Sequence, residues 1–388
     1  MTGVNVPILQ GLELKNVAEL AGSPGPCVTI LLPPYRPGEQ TNSPAALLRT
    51  YCQEAERQLA SRHIEARQVA ELLGPLKNLS ESPDFDGGSH WSRALFRSEE
   101  VFTMLDGLEP LKAGIIIGGC FHLRSVLGDL HLPAVFYVLK LSQKKVELWR
   151  CSGLRAERIE LPKGVPQSLD EAMDFDKPDH DLENRSAAGS SVGSMRRIRF
   201  GTGSGREKAA DHVSDFFKAV DRGLHEMVHA NDVPLILTGV DEDLAAYRLV
   251  STYPHLLEES IHGSASAPMS DQELLRRAYT ILRAEATGRA AATLIEYRER
   301  MTPARFSTDL EAILQAAVDG RVGWLFLNEG AQAFGVFEGV RRGGRVNWGE
   351  EDLLNVAAVE TILRGGSAYK LTPATMPDGA AVAAVFRY

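Results

Sequence analysis

The chain reads as an α/β protein of three domains, spanning 1–131, 132–263 and 264–388. Three observations point there. Its 388 residues are more than one hydrophobic core ordinarily serves. Short apolar runs fit for buried strands are interleaved with segments of helical spacing. The last part, after the polar linker 262–271, alternates helix and strand, the order of an α/β sandwich.

In the first part, 27–32 (CVTILL) is an apolar strand stopped by Pro33 and Pro34. Residues 45–73 carry helical spacing through Leu47, Leu48, Tyr51, Ala55, Leu59, Val69, Leu72 and Leu73. Strands follow at 94–96, 101–105 and 114–118, the last (GIIIG) continuously apolar. The middle part opens with a meander of strands at 134–141, 145–150 and 156–161 around a Ser142-Gln143-Lys144 turn. A long helix, a buried parallel strand at 234–240 (PLILTGV) and the meander predict one mixed sheet. In the last part, helices are expected at 270–300, 308–318 and 350–363. Strands are expected at 322–328, 333–337, 367–371 and 380–388, and Gly365-Gly366 reads as a helix C-cap.

Composition narrows the function classes. The net charge of −9 argues against a uniformly basic nucleic-acid binder and leaves room for a local basic patch. Cys27, Cys52, Cys120 and Cys151 are scattered without paired spacing. They predict reduced core thiols in a cytoplasmic protein, with no disulfide framework and no zinc knuckle. The first ten residues do not read as a signal peptide, and no apolar stretch approaches the ~20 residues of a membrane span. No cofactor fingerprint and no DNA-binding signature is visible, and neither is a Ser-His-Asp or Cys-His arrangement with supporting context. His90-Trp91 falls in a loop without an assignment.

The most unusual stretch is 199–211, RFGTGSGREKAAD. Residues 170–184 before it hold seven acidic residues and one lysine, and 186–194 (SAAGSSVGS) is a small-residue run. Ser204 with Glu207 three positions on fits a capping box for the helix that follows. That helix carries Ala210, Val213, Phe216, Phe217, Val220, Leu224, Met227 and Val228 at core spacing. From 196 to 208 five basic residues, Arg196, Arg197, Arg199, Arg206 and Lys208, face one acid, Glu207. Glycine-rich backbone at a helix N-terminus, flanked by arginines, suits RNA phosphate. A solvated hairpin is the plainer alternative. The acidic run could fold back on this tip as an electrostatic self-inhibition that salt would relax.

Several stretches together resemble the archaeo-eukaryotic class-I peptide release factors, their relative Pelota, and most closely a bacterial homologue family of the family 3 type. Residues 121–127 (FHLRSVL) stand where that family closes its first domain. The meander FYVLKLSQKKVELWR is similar to the opening of its middle domain. FGTGSGREKAADHVSDFFKAVDRGLHEMV sits where the family has its glycine-rich tip and long helix, and MPDGAAVAAVFRY looks like its C-terminal ending. The resemblance implies three domains, with a ribonuclease-H-like mixed sheet in the middle, and a ribosome-associated factor at the tRNA site in a rescue, termination-like or hibernation role. Its partners would be rRNA and ribosomal proteins. RNA contact would fall to Arg196, Arg197, Arg199, Gly201, Gly203, Ser204, Gly205, Arg206 and Lys208. The family's Gly-Gly-Gln is absent, Ser204 standing nearest its glutamine, and 61–65 (SRHIE) does not match the stop-codon motif Asn-Ile-Lys-Ser. Peptidyl-tRNA hydrolysis and stop-codon reading are therefore not carried over.

Two other constellations compete. His225-Glu226-Met227-Val228-His229 is an H-E-x-x-H pattern that could hold zinc, with Glu226 as base and a third ligand from Glu242, Glu258 or Glu259. The plainer reading is histidines complementing a helix C-terminus. Asp241 and Glu242 after a buried strand, with Asp221, could form a two-metal nuclease centre; a strand-end turn and helix start is the plainer reading. A scaffold without RNA or catalytic function is the third class.

Overall fold

Every residue of the strand Cys27–Leu32 is buried, because the two faces of its sheet are both covered. Val28, Ile30 and Leu32 point into one core and Cys27 and Leu31 into another, the period-two alternation of a strand sandwiched between layers. The computed structural model describes residues 8–9, 20, 23, 26–35, 43–82, 85, 91–107, 111–175, 202–228, 233–263, 269–302, 304–337 and 349–388. The chain falls into two compact units: Pro133–Ile281, and Met1–Leu132 together with Leu282–Tyr388.

In the second of these, the N-terminal segment builds a five-stranded sheet from β1 (Ile8–Leu9), β2 (Cys27–Leu32), β3 (Ser92–Arg97), β4 (Phe102–Gly107) and β5 (Gly114–Gly118), in the order β1-β4-β3-β2-β5. Helices α1 (Pro44–Ser61) and α2 (Ala66–Ser80) cover one face. The sequence predicts one helical run over 45–73. The structure breaks it at 62–65, where His63 takes a φ of 60°, a left-handed conformation that no helix continues through. Pro75 lies inside α2 and leaves the carbonyl of Glu71 without its helical donor. The Arg97 guanidinium supplies the replacement, donating to Leu72 O at 2.9 Å and Glu71 O at 3.3 Å.

The C-terminal segment adds a four-stranded sheet of β11 (Phe306–Ser307), β12 (Val322–Asn328), β15 (Ser367–Leu371) and β16 (Val382–Phe386), in the order β11-β16-β12-β15. A ribbon pairs β13 (Phe334–Gly335) with β14 (Glu351–Asp352). Leu325 and Leu327 of β12 join one core with α8 (Leu310–Val318) and α9 (Leu353–Leu363). Phe326 points the other way, toward Leu294 of the long helix α7 (Asp271–Arg300). That is the expected α/β sandwich. Helix α9 starts three residues later than the sequence suggests, because Asp352 caps it and accepts from Leu354 N. Gly365 has a φ of 74° directly after it, and Gly366 N donates to Thr361 O at 2.8 Å, as the predicted C-cap requires.

The two segments share the core that contains Phe96, Phe121 and Leu127 from one and Leu314, Leu325 and Ala358 from the other. Buried polar bonds run through the same layer. A turn at Leu123–Val126 and the short helix α3 (Leu127–Leu130) carry Arg124 and Asp129. Arg124 donates to Asp352 and to the carbonyls of Asn328 and Ala331, and Arg283 of α7 donates to Asp129 at 2.7 Å.

The remaining unit holds the mixed sheet that the sequence predicts: β6 (Val135–Lys140), β7 (Glu147–Ser152), β8 (Arg155–Ile159), β9 (Leu235–Gly239) and β10 (Leu256–His262), in the order β10-β9-β6-β7-β8. β9 runs parallel to both neighbours, while β6, β7 and β8 form the antiparallel meander. Helices α4 (Leu169–Phe175), α5 (Thr202–Val228) and α6 (Asp241–Val250) and the part of α7 up to Ile281 complete it, with Tyr279 of α7 edge-on to Phe136. β10 is not anticipated from its sequence, LLEESIH, which is polar because the strand pairs on one side only, with β9. Cys27, Cys52 and Cys151 are core thiols, and burial pushes Cys52 up to about 11 and Cys151 up to about 12.

Candidate functional site

Helix α5 places the candidate residues, and its own side chains explain why it stands where it does. Phe216, Phe217, Val220 and Leu224 are buried, a stripe at helical spacing. Phe217 meets Tyr247 of α6 edge-on, with ring centroids 5.8 Å apart. Gly223 allows the residues before α4 to come close, since a Cβ there would run into the Val165 side chain.

One charge sits on that apolar stripe. Asp221 is 3% exposed, and all its bonding capacity is used. Oδ1 accepts from Tyr247 Oη at 3.0 Å and Ser251 Oγ at 2.8 Å. Oδ2 accepts from Thr252 N at 2.9 Å and Thr252 Oγ1 at 2.8 Å. Burial and the adjacent carboxylate raise the Tyr247 phenol, so it stays a donor. Asp221 is thus a fastener between α5 and the turn after α6, and its lone pairs are not available to a metal. Asp241 bonds His262 Nδ1 at 2.6 Å and, with Glu242 and Asp243, occupies the first turn of α6, the plainer of the two readings of those carboxylates.

The zinc pattern fares similarly. His225 Nε2 lies 2.8 Å from Thr252 Oγ1. That hydroxyl gives its proton to Asp221, so the imidazole donates to it and Nε2 carries the ring proton. The Glu226 side chain and His229 lie outside the described residues. Among the described residues no group of three or more His, Cys, Asp or Glu is placed to hold a metal ion.

At the other end, α5 begins at Thr202. Ser204 is therefore inside the helix and does not serve as the cap of a Ser204–Glu207 box. Gly203, Ser204 and Gly205 belong to its first turn rather than to a loop, and Arg206 and Lys208 follow within the next. Arg196, Arg197, Arg199 and Gly201 lie outside the described residues. The first turn of α5 carries no acidic residue. The positive end of a helix dipole at this end favours an anion.

Sequence reasoning passed over His122 and Ser125. Their spacing of three was visible, but the carboxylate that gives it meaning, Asp352, is 230 positions away from His122.

Residues 135–321 match the family model "Bacterial archaeo-eukaryotic release factor family 3". Solved structures with similar segments include the archaeal translation termination factor aRF1, at 13% identity, covering 97% of this chain and 96% of that one, with a TM-score of 0.25. Archaeoglobus fulgidus Pelota is 13% identical over 77% of this chain and 80% of its own, with a TM-score of 0.37. Archaeal Pelota in a ribosome-bound assembly with ABCE1 is 11% identical over 97% and 94%, with a TM-score of 0.33. No curated protein matches the sequence. With all three scores below 0.5, the likeness to release factors rests on the family match over residues 135–321.

Proposed function

We propose that this release-factor-like chain is a ribosome-associated translation factor that occupies the tRNA site in a rescue, termination-like or hibernation role; its missing Gly-Gly-Gln gives peptidyl-tRNA hydrolysis no support. The observation that carries this reading is that the family match, 135–321, contains the basic, glycine-rich segment at the start of α5. In this reading the chain has three domains, 1–131, 132–263 and 264–388, the middle one ribonuclease-H-like. Arg196, Arg197, Arg199, Arg206 and Lys208 meet rRNA phosphates, with the N–H groups of Gly201, Gly203, Ser204 and Gly205 beside them. The C-terminal domain contacts ribosomal proteins. The protein works in the bacterial cytoplasm, with no cofactor, no DNA and no membrane partner. No helix among the described residues is long and apolar enough to cross a membrane. No glutamine stands between Phe200 and Glu207, so hydrolysis is not part of this reading.

The test is co-sedimentation with 70S ribosomes and separated subunits at two salt concentrations. Each phosphate that an arginine no longer neutralises reduces the salt slope by roughly 0.7 to 0.9 log units per log unit of salt. Replacing Arg196, Arg197, Arg199 and Arg206 together by Ala should flatten that slope and weaken binding at least tenfold. Absence of salt-sensitive binding by the wild type sinks the proposal, and unchanged binding by the variant removes the segment from it.

A further inference from the structure

A cavity of about 540 Å³ opens in the unit formed by the N- and C-terminal segments, and His122, Ser125 and Asp352 all line it. The turn Leu123–Val126 sets Ser125 three residues after His122, which brings Ser125 Oγ to 2.8 Å from His122 Nδ1. The other ring nitrogen, Nε2, lies 3.2 Å from Asp352 Oδ2. The ring is held at its backbone as well, where His122 N donates to Thr29 Oγ1 at 2.9 Å.

The protons follow from the partners. Asp352 is fixed twice more: Oδ1 accepts from Leu354 N at 3.1 Å, and Oδ2 accepts from Arg124 Nη1 at 3.0 Å. Burial opposes ionisation of Asp352, but the His122 hydrogen bond and the Arg124 charge outweigh it and hold the carboxyl below the usual range. An ionised carboxylate only accepts, so Nε2 carries the imidazole proton. Nδ1 is then a lone pair, and its neighbour is a hydroxyl. Ser125 donates to it. A base aimed at a hydroxyl, with a carboxylate fixing the tautomer from behind, is the arrangement that activates a serine nucleophile. It uses Nδ1 where the familiar triad uses Nε2; the roles are assigned by geometry. The cavity walls are mixed: Leu31, Ile116, Phe334 and Val356 are apolar, with Phe334 61% exposed at the edge, and Lys112, Glu329, Glu350, Glu351 and Lys370 add charge.

We propose that Ser125 is a nucleophile that, with His122 as its base, cleaves small carboxylic esters in this cavity. Ser125 Oγ bonds to the acyl carbon while its proton passes to His122 Nδ1. The ester C–O bond breaks, and the alcohol leaves with that proton. Water then attacks the acyl carbon, giving a proton to Nδ1 and its oxygen to the acid. The bond to Oγ breaks, and Oγ recovers the proton. Asp352 is a positioning residue that keeps Nδ1 unprotonated and aimed at Ser125.

The experiment uses the full chain, a fluorophosphonate probe and p-nitrophenyl butyrate. Mass spectrometry of the labelled protein is expected to place the phosphonyl group on Ser125. Ser125→Ala, which removes one oxygen, should abolish both labelling and ester cleavage while the protein still melts cooperatively. His122→Gln should slow labelling at least a hundredfold, the span a general base supplies. A cooperatively melting wild type that takes no label on Ser125 overturns the proposal. Labelling of Ser125 at an unchanged rate in His122→Gln overturns it equally, because the hydroxyl would then not be activated by the ring.

Discussion

Each of the two units holds a buried charge that fastens it, and the two charges differ in sign and in reach. In the unit of the N- and C-terminal segments the fastener is the Arg124 guanidinium, bonded to Asp352 and to the carbonyls of Asn328 and Ala331, partners 204 to 228 positions away. In the unit Pro133–Ile281 it is the Asp221 carboxylate, which takes four hydrogen bonds from Tyr247, Ser251 and Thr252, only 26 to 31 positions away. A guanidinium is a rigid fork of donors, suited to gathering carbonyls at the ends of separate elements. A carboxylate is an acceptor pair, suited to the hydroxyls and N–H groups of one turn. The first joins two distant stretches of chain into one core. The second sets the anchored end of α5 against α6 and so supports the helix whose other end carries the basic segment.

The comparison breaks hardest at Arg124. Arg124→Ala leaves a buried carboxylate with less compensation and takes a donor from two carbonyls, of which Asn328 O keeps Ala331 N, a change expected to cost about 3–5 kcal/mol. Hydrogen exchange should show it as reduced protection in β12 and β5 together, while β9 keeps its own. Unchanged protection in β12 would show that Arg124 does not fasten the segments. Asp221→Asn comes next. It keeps the shape but turns one oxygen into an NH₂ that faces donors. The expected cost is about 2 kcal/mol, the scale of hydrogen bonds to a charged group, read as reduced protection in α5 and α6 with β12 unaffected. An equal reduction in β12 would mean that the two units are not separately fastened.

How far the sequence revealed these fasteners follows from their reach. Strands such as Cys27–Leu32, Gly114–Gly118 and Val322–Asn328 were legible because their apolar content is local. The α5 stripe was legible too, and Asp221 left a trace in it: an acid between Val220 and Leu224, on the face that Phe217 buries. Arg124 left none, because its meaning depends on how two sheets share a layer, and sheet order is not a periodicity. His122, Ser125 and Asp352 were hidden for the same reason. The edge strand β10 was missed because its exposed positions, Glu258 and Glu259, cancel the apolar signal of Leu257 and Ile261. The break after Ser61 was missed because helical spacing resumes beyond it, and the left-handed residue that interrupts it is an unexceptional histidine.

The smallest expected effect sharpens the comparison through pH. His131 belongs to the same layer as Arg124. Its Nε2 lies 2.6 Å from Ala368 O, and its ring stacks on Tyr369 with centroids 3.9 Å apart. A carbonyl only accepts, so Nε2 carries the proton of a neutral ring. Burial pushes the imidazole below its ordinary value and outweighs the Ala368 bond, which acts the other way. The unfolded chain therefore takes up a proton at His131 at a higher pH than the folded one does. Between the folded value and about 6.5 the unfolded state binds more protons, and stability rises with pH. The contribution is complete above about 6.5 and is lost as the pH falls through the folded value. His131→Phe keeps the stack and removes the titration. It gives up the hydrogen bond, about 1 kcal/mol at every pH. Urea unfolding followed at a probe in β12 should then show the wild type losing stability more steeply than His131→Phe as the pH falls from 7 to 5, by an amount well below the Arg124 effect. Parallel curves would assign the pH dependence to other groups. A steeper wild-type curve in β12 with no counterpart in β9 would place the acid-sensitive joint in the unit that Arg124 fastens.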